Sequence, residues 1–284
     1  MNYVFFLNSQ RGLFILKKLN KSKKFNLNKA VICNKSIAKK LKNIISKKKI
    51  VFIKNINSKK SLKLLKKMNS DMFVVGGYPQ IFKKQIFKLP KIMTINLHGG
   101  PLPSYKGGSP LNWQIINNEK KIGISIIKMK EGIDTGPVIL EKKFKLNKSD
   151  IISDIHLKAN KYFYILLLKV LKMIKKKGSN ITFKKTKGIP KYWKQRNDQD
   201  GYIIAKQNKQ LKVYNFIRAV TKPYPGPWTK LNFKNKVKKI RLFSSQIIKK
   251  KINFLKNDYL LEKNKLYVKC SDGNLRIKNY EFFK

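Results

Sequence analysis

Cysteine is nearly absent. The 284-residue chain has two, Cys33 and Cys270, far apart and in no CxxC pair. That excludes a cysteine zinc site and a disulfide framework, and it suits a reducing cytoplasm. A long apolar run is missing too. The longest, residues 162–174, is broken by Lys169 and Lys172, so it reads as a buried helix and not as a membrane span. Residues 3–7 are apolar but too few for a signal-peptide core, and no small-residue cleavage site follows. There is no internal repeat. No GxGxxG follows the first apolar run, which argues against a nicotinamide cofactor. Histidine is as rare as cysteine: His98 and His156 are the full set.

Acidic residues are also scarce, 13 Asp and Glu against 67 Lys and Arg, for a formal net charge of +54. Such an excess has two readings. One is a polyanionic partner, nucleic acid or an anionic membrane. The other is compositional drift, with lysine filling solvated positions. The lysines run along nearly the whole chain, in groups such as 47–49, 59–60, 175–177 and 249–251, whereas a dedicated binding surface concentrates charge on one segment. That spread favours drift.

What is present is a normal apolar fraction, 42%, in a regular pattern. Short apolar runs at 3–7, 30–33, 50–53, 72–75, 92–97 and 122–129 predict strands, and helix-like stretches fall at 12–19, 36–45 and 58–68. Alternation of helices with fully apolar strands implies a Rossmann-like α/β domain with a mostly parallel sheet, covered on both faces. Residues 153–176 predict one long helix, with Asp154 near its start and lysines at its end, as the helix dipole favours. Periodicity then fades. Further on, a helix at 209–220 and short strand-like pieces at 237–243, 259–261, 266–269 and 275–277, with turn signals at 256–258 and 271–273, imply a small β-rich, OB-like domain. The expected organisation is a catalytic domain at 1–180, a linker at 181–203 and the β domain at 204–284.

The chemistry concentrates between residues 94 and 140. A predicted strand ends in Asn96-Leu97-His98 and is followed by Gly99, Gly100 and a turn-rich loop. In open α/β sheets ligands bind at the carboxyl ends of the strands. Asn96 and His98 are two apart, so they project to one side of an extended strand. The loop after the next strand could return Asp134 to the same crevice. Asn, His and Asp make an acyl-transfer set. The Asn amide and the imidazole can donate to a developing oxyanion. Asp134 can orient or charge His98, or take the proton of an attacking amine. If the amine is the nucleophile, no serine or cysteine is needed.

The stretch INLHGGPLPSYKGGSPLNWQIIN (95–117) resembles the central motif of the 10-formyltetrahydrofolate-dependent formyltransferases, and MKEGIDTGPVI (129–139) resembles their second motif. YNFIRAVTKPYPGPW (214–228) is similar to the start of the family's C-terminal β domain, so the likeness runs through the whole chain. It implies catalytic roles for Asn96, His98 and Asp134, 10-formyltetrahydrofolate as formyl donor, and no metal. It also implies donor contacts from the Gly76-Gly77-Tyr78 segment. There are departures. Gly100-Pro101-Leu102-Pro103 stands where Ser-Leu-Leu-Pro is common, Lys106 where Arg is common, and Asn8-Ser9-Gln10-Arg11-Gly12 replaces a Gly-Thr-Pro turn.

Two acceptors fit such a family, a nucleotide-linked amino sugar and methionyl-tRNA. Pro110-Leu111-Asn112-Trp113 looks more like the sugar enzymes, as do residues 196–201 and 218–226. The net charge points towards tRNA, although drift explains most of it. The expected substrate contacts are Lys106, Asn112, Trp113, Arg218 and Tyr224, with Arg218 and Tyr224 suited to a diphosphate and a base. The expected location is cytoplasmic, and the oligomeric state is open.

Overall fold

The structure is a computed structural model, and it describes every residue except 23, 24, 234, 235, 251, 255–257, 264 and 284. The predicted turn at 256–258 therefore lies mostly outside the described residues. In chain order the elements are β1 (Asn2–Phe6), α1 (Gln10–Ser22), β2 (Asn26–Ile32), α2 (Ala38–Lys42), β3 (Ile50–Phe52), α3 (Lys59–Lys67), β4 (Met72–Val75), α4 (Lys84–Phe87), β5 (Met93–His98), β6 (Lys106–Gly107), α5 (Pro110–Ile116), β7 (Lys121–Lys128), β8 (Val138–Lys145), α6 (Ile152–Lys177), β9 (Tyr192–Trp193) and α7 (Gln210–Val220). Five strands follow: β10 (Trp228–Phe233), β11 (Lys236–Ile248), β12 (Tyr259–Glu262), β13 (Lys265–Lys269) and β14 (Asn274–Phe283).

A seven-stranded sheet runs β3-β2-β1-β4-β5-β7-β8. Its first five strands pair in parallel. The interior strand β1 is apolar on both faces because both are covered: Tyr3, Val4, Phe5 and Phe6 are all fully buried. Val4 and Phe6 join one layer with Phe73, Val75, Tyr78 and Phe82. Phe6 meets Phe73 and Phe82 edge-on, with ring centres at 5.0 and 4.9 Å. Helix α1 buries Leu13, Ile15, Leu16 and Leu19, the one-sided spacing of an amphipathic helix. Ser58 caps α3 by accepting from the Ser61 amide. The long helix α6 carries Asp154 in its first turn and three lysines in its last.

Two features depart from the sequence reading. Strand β7 runs antiparallel to β5, with Asn96 opposite Ile127 and His98 opposite Ser125. Strand β8 follows it; the run Glu141-Lys142-Lys143 hides it, because those residues occupy partly or fully exposed positions.

The chain forms two compact units that are not contiguous in sequence. One comprises residues 1–107, 123–143 and 156–192; the other comprises 108–122, 144–155 and 193–284. In the second unit an antiparallel sheet runs β10-β11-β14-β13-β12. Strand β11 is 13 residues long and pairs with both β10 and β14, bending at a register shift near Ser244. Helix α5, which the sequence assigns to the first domain, belongs to this unit and packs on α7. No helix among the described residues is long and apolar enough to cross a membrane.

Candidate active site

The strand order reverses at β1: β2 lies on one side and β4 on the other. In open α/β sheets the crevice at the carboxyl ends beside such a reversal binds ligands. Strand β5 reaches that edge with His98 as its last residue. The alternation of the strand places Asn96 and His98 on one side and Leu97 on the other.

Asp134 comes from the turn between β7 and β8. The turn is tight. Gly132 and Asp134 both have left-handed backbones, with φ of +94° and +49°. Gly136 sits so close to Lys128 that an added Cβ would lie 1.7 Å from that residue's carbonyl oxygen, so no side chain fits there. The Thr135 hydroxyl donates to the Glu131 carbonyl, and the Lys128 amide to Pro137. Held in this way, Asp134 Oδ2 lies 3.3 Å from His98 Nδ1 and accepts the Gly107 amide at 2.9 Å. The Asn96 amide nitrogen reaches Asp134 Oδ1 at 3.5 Å, the outer limit of a hydrogen bond. Three residues spread over 39 positions of sequence thus meet within the first unit.

His98 is 5% exposed and Asp134 11%. The second ring nitrogen of His98, Nε2, lies 2.5 Å from the Tyr105 carbonyl oxygen. A carbonyl only accepts, so Nε2 carries a hydrogen. Gly100 makes this contact possible, since a Cβ there would lie 2.7 Å from the Tyr105 oxygen and 3.0 Å from His98 Nε2. The loop is pinned by the Ser125 hydroxyl on the Gly100 carbonyl and by the Tyr105 amide on Pro101. Burial pushes the proton affinity of His98 down; Asp134 and the Tyr105 carbonyl push it up, and Arg11 pushes it down again, for a net lowering. Both ring nitrogens already have partners. Such an arrangement can offer the Asn96 amide to an oxyanion and let Asp134 orient His98, duties that the sequence reading left shared.

The other expected contacts are divided between the two units. The Gly76 amide donates to Phe6, and the Gly77 carbonyl accepts from Asn8, both at the strand ends. The Tyr78 ring packs in the hydrophobic layer, its hydroxyl 3.4 Å from the Ile53 carbonyl, so it does not face the crevice. The ammonium of Lys106 lies 5.3 Å over the Tyr192 ring. In the second unit Asn112 is buried and donates to the Ala219 carbonyl at 2.8 Å. Trp113 donates to the Lys194 carbonyl and stacks at a tilt on Trp193.

Arg218 is held within the second unit. It is buried; its Nε donates to Asn215, and Nη1 to the Asn147 and Asp150 carbonyls. Burial lowers its pKa. A guanidinium held in this way ties α7 to the turn before α6. Tyr224 instead lines a cavity of about 120 Å³, with Asn112, Arg196 and Asp198. The Arg196 guanidinium lies over the Trp113 and Phe216 rings at 5.0 and 4.8 Å. The sequence reading used residues 196–201 for the acceptor but gave no ring partner for Arg196.

Comparison with known proteins defines the class. Residues 1–171 match the family described as formyl transferase, and residues 196–283 match the formyl transferase C-terminal domain. The chain belongs to the formyl transferase family. It is 33% identical over 212 residues to the bifunctional polymyxin resistance protein ArnA of Wigglesworthia glossinidia brevipalpis, a match spanning 72% of this chain and 30% of that one. It is 35% identical over 188 residues to the methionyl-tRNA formyltransferase of Prochlorococcus marinus (strain MIT 9515), spanning 64% and 56%. These matches cover less than two thirds of the relatives' lengths. Among solved structures, an N-formyltransferase from Helicobacter canadensis in complex with folinic acid and dTDP-3-aminofucose superposes with a TM-score of 0.70 at 20% identity, over 99% of each chain. The methionyl-tRNA formyltransferase from Clostridium thermocellum gives 0.67 at 18%, over 100% of this chain and 99% of that one. Both share the fold.

Proposed function

We propose that this protein transfers a formyl group from 10-formyltetrahydrofolate to a primary amine, and that the amine belongs to a nucleotide-linked amino sugar. The observation that carries the reading is the Asp134–His98 contact of 3.3 Å, with Asn96 beside it. The donor supplies a formyl carbon already activated on nitrogen. A new bond forms between the amine nitrogen and that carbon, and the bond to the folate nitrogen breaks. The Asp134–His98 pair takes the proton the amine loses and returns it to the departing nitrogen. Asn96 donates to the formyl oxygen as negative charge grows there.

A cleft of about 850 Å³ in the same unit fits the donor. Ile81 and Phe87 offer apolar surface to a flat heterocycle, and Lys83, Lys84 and Lys88 offer cations to glutamate carboxylates. Gly132, two residues before Asp134, lines the same cleft, which supports a donor bound beside the base. Gly76 and Gly77 lead into it along the chain.

For the acceptor, the Pro110-Leu111-Asn112-Trp113 run, which looks more like the sugar enzymes, favours a nucleotide-linked amino sugar. The second reading is methionyl-tRNA, favoured by the net charge of +54. The test is formyl transfer from labelled donor to UDP-amino sugars, dTDP-amino sugars and methionyl-tRNA at two salt concentrations. Sugar formylation tolerant of moderate salt supports the proposal. Steeply salt-sensitive formylation of methionyl-tRNA with no sugar product reverses the acceptor.

A further inference from the structure

Arg11 stands in an unexpected place. It is the second residue of α1, a helix with no acidic residue in its first turn. The positive end of a helix dipole disfavours a cation there. The side chain is nevertheless held on two other elements. Nη1 donates to the Leu97 carbonyl of β5, 3.3 Å away, one residue before His98. The guanidinium carbon lies 4.7 Å over the ring of Phe163 on α6. Two turns earlier on α6, at the same helical face, is His156.

We propose that Arg11 is a positioning residue for His98: it anchors the strand end that carries the imidazole and sets how readily that ring takes a proton. The inference rests on reading Asn96, His98 and Asp134 as the formyl-transfer machinery. The need for such a residue follows from the surroundings of His98. Two acceptors flank the ring, the Asp134 carboxylate at Nδ1 and the Tyr105 carbonyl at Nε2. Left to themselves they favour a doubly protonated ring. A pair already loaded with that proton cannot accept one from an amine. Burial and the Arg11 charge oppose the loading.

Two charged groups among the described residues act on the ring. Asp134 is on the turn after β7 and raises the proton affinity; Arg11 is on α1 and lowers it. On α6 the titratable group near Arg11 is His156, whose pKa falls to about 4, first through burial and then through Arg11, so it is neutral in the working range. Arg11 is then the one cation acting on His98 among these groups.

The test uses the full chain with ¹³C-labelled histidine. Only two imidazole signals exist, and His156→Gln identifies them. In Arg11→Gln the titration midpoint of His98 is expected to rise by about one unit, a tenfold gain in proton affinity. The acidic limb of kcat/KM should move up with it, with KM for the donor little changed. Arg11→Lys should restore both. Arg11→Met, which keeps an apolar stem against Phe163, serves in place of the glutamine variant if that one does not fold. A His98 midpoint that stays where it is in a folded, uncharged variant overturns the proposal, even if stability falls. Absence of formyl transfer by the parent protein overturns the functional reading and leaves the titration result to stand alone.

Discussion

Asp134 and His98 approach to 3.3 Å although one follows β7 and the other ends β5. The contact exists because β7 returns antiparallel beside β5 and because its turn can curl. Gly136 lets the chain pass against the Lys128 carbonyl, and residue 134 adopts a left-handed backbone. Geometry of this kind should be sensitive to single atoms.

Gly100→Ala tests that sensitivity on the other side of the ring. The added methyl meets both Tyr105 and His98 Nε2. Such overpacking costs about 1–3 kcal/mol. The expected result is a modest drop in the denaturation midpoint and a loss of kcat well beyond it, because the Tyr105–His98 bond must open. Unchanged kcat would show that this bond plays no part in catalysis.

Arg218→Ala should act on stability and not on substrate binding. The change removes donors to two backbone carbonyls and to Asn215 in a buried place. Leaving such acceptors unsatisfied costs about 1–3 kcal/mol each. Urea melts should show the loss, and KM for a nucleotide sugar should stay within about twofold, read as uniform binding unchanged. A raised KM at full stability would return Arg218 to the acceptor site.

Acid should destabilise the fold through His156. Its pKa is about 4 when folded, against an unfolded value near 6.5. Between those values the unfolded chain binds more protons, so stability is full above about pH 6.5 and is lost as pH falls towards 4. The upper bound from this group is about 3 kcal/mol. His156→Gln should flatten the stability profile across that window, as measured by thermal melts at several pH values. An unchanged profile would place the acid lability elsewhere.

That Asn96, His98 and Asp134 meet was legible because they sit at a strand end, two residues apart, and on the glycine-rich turn after the next strand. The parallel core was legible from the all-apolar runs of β1 and β4. Strand β8 and the full lengths of β11 and β14 were not, since lysines on their exposed positions break the apolar pattern without breaking the ladder. The backbone partners of Arg218 were hidden for a related reason. A cation near a proline-rich turn looks like a ligand, and only the fold reveals carbonyls waiting for it. Arg11 gave no signal at all, because its neighbours Leu97 and Phe163 are 86 and 152 residues away.

Asn96→Ala should lower kcat by about 10²–10³-fold, the usual effect of removing one oxyanion donor, with KM nearly unchanged. A raised KM with kcat unchanged would make Asn96 a ground-state contact.

The central claim is that His98 and Asp134 act as one unit in formyl transfer. The most direct measurement is a double-mutant cycle on kcat, with ¹⁴C-formyl donor and the acceptor that the panel selects. The account predicts that His98→Ala, Asp134→Ala and the double variant all lose about 10²–10⁴-fold, the double scarcely more than either single, since groups acting as a unit are non-additive. Near-full turnover by a folded Asp134→Ala protein, or losses that multiply in the double variant, would contradict it.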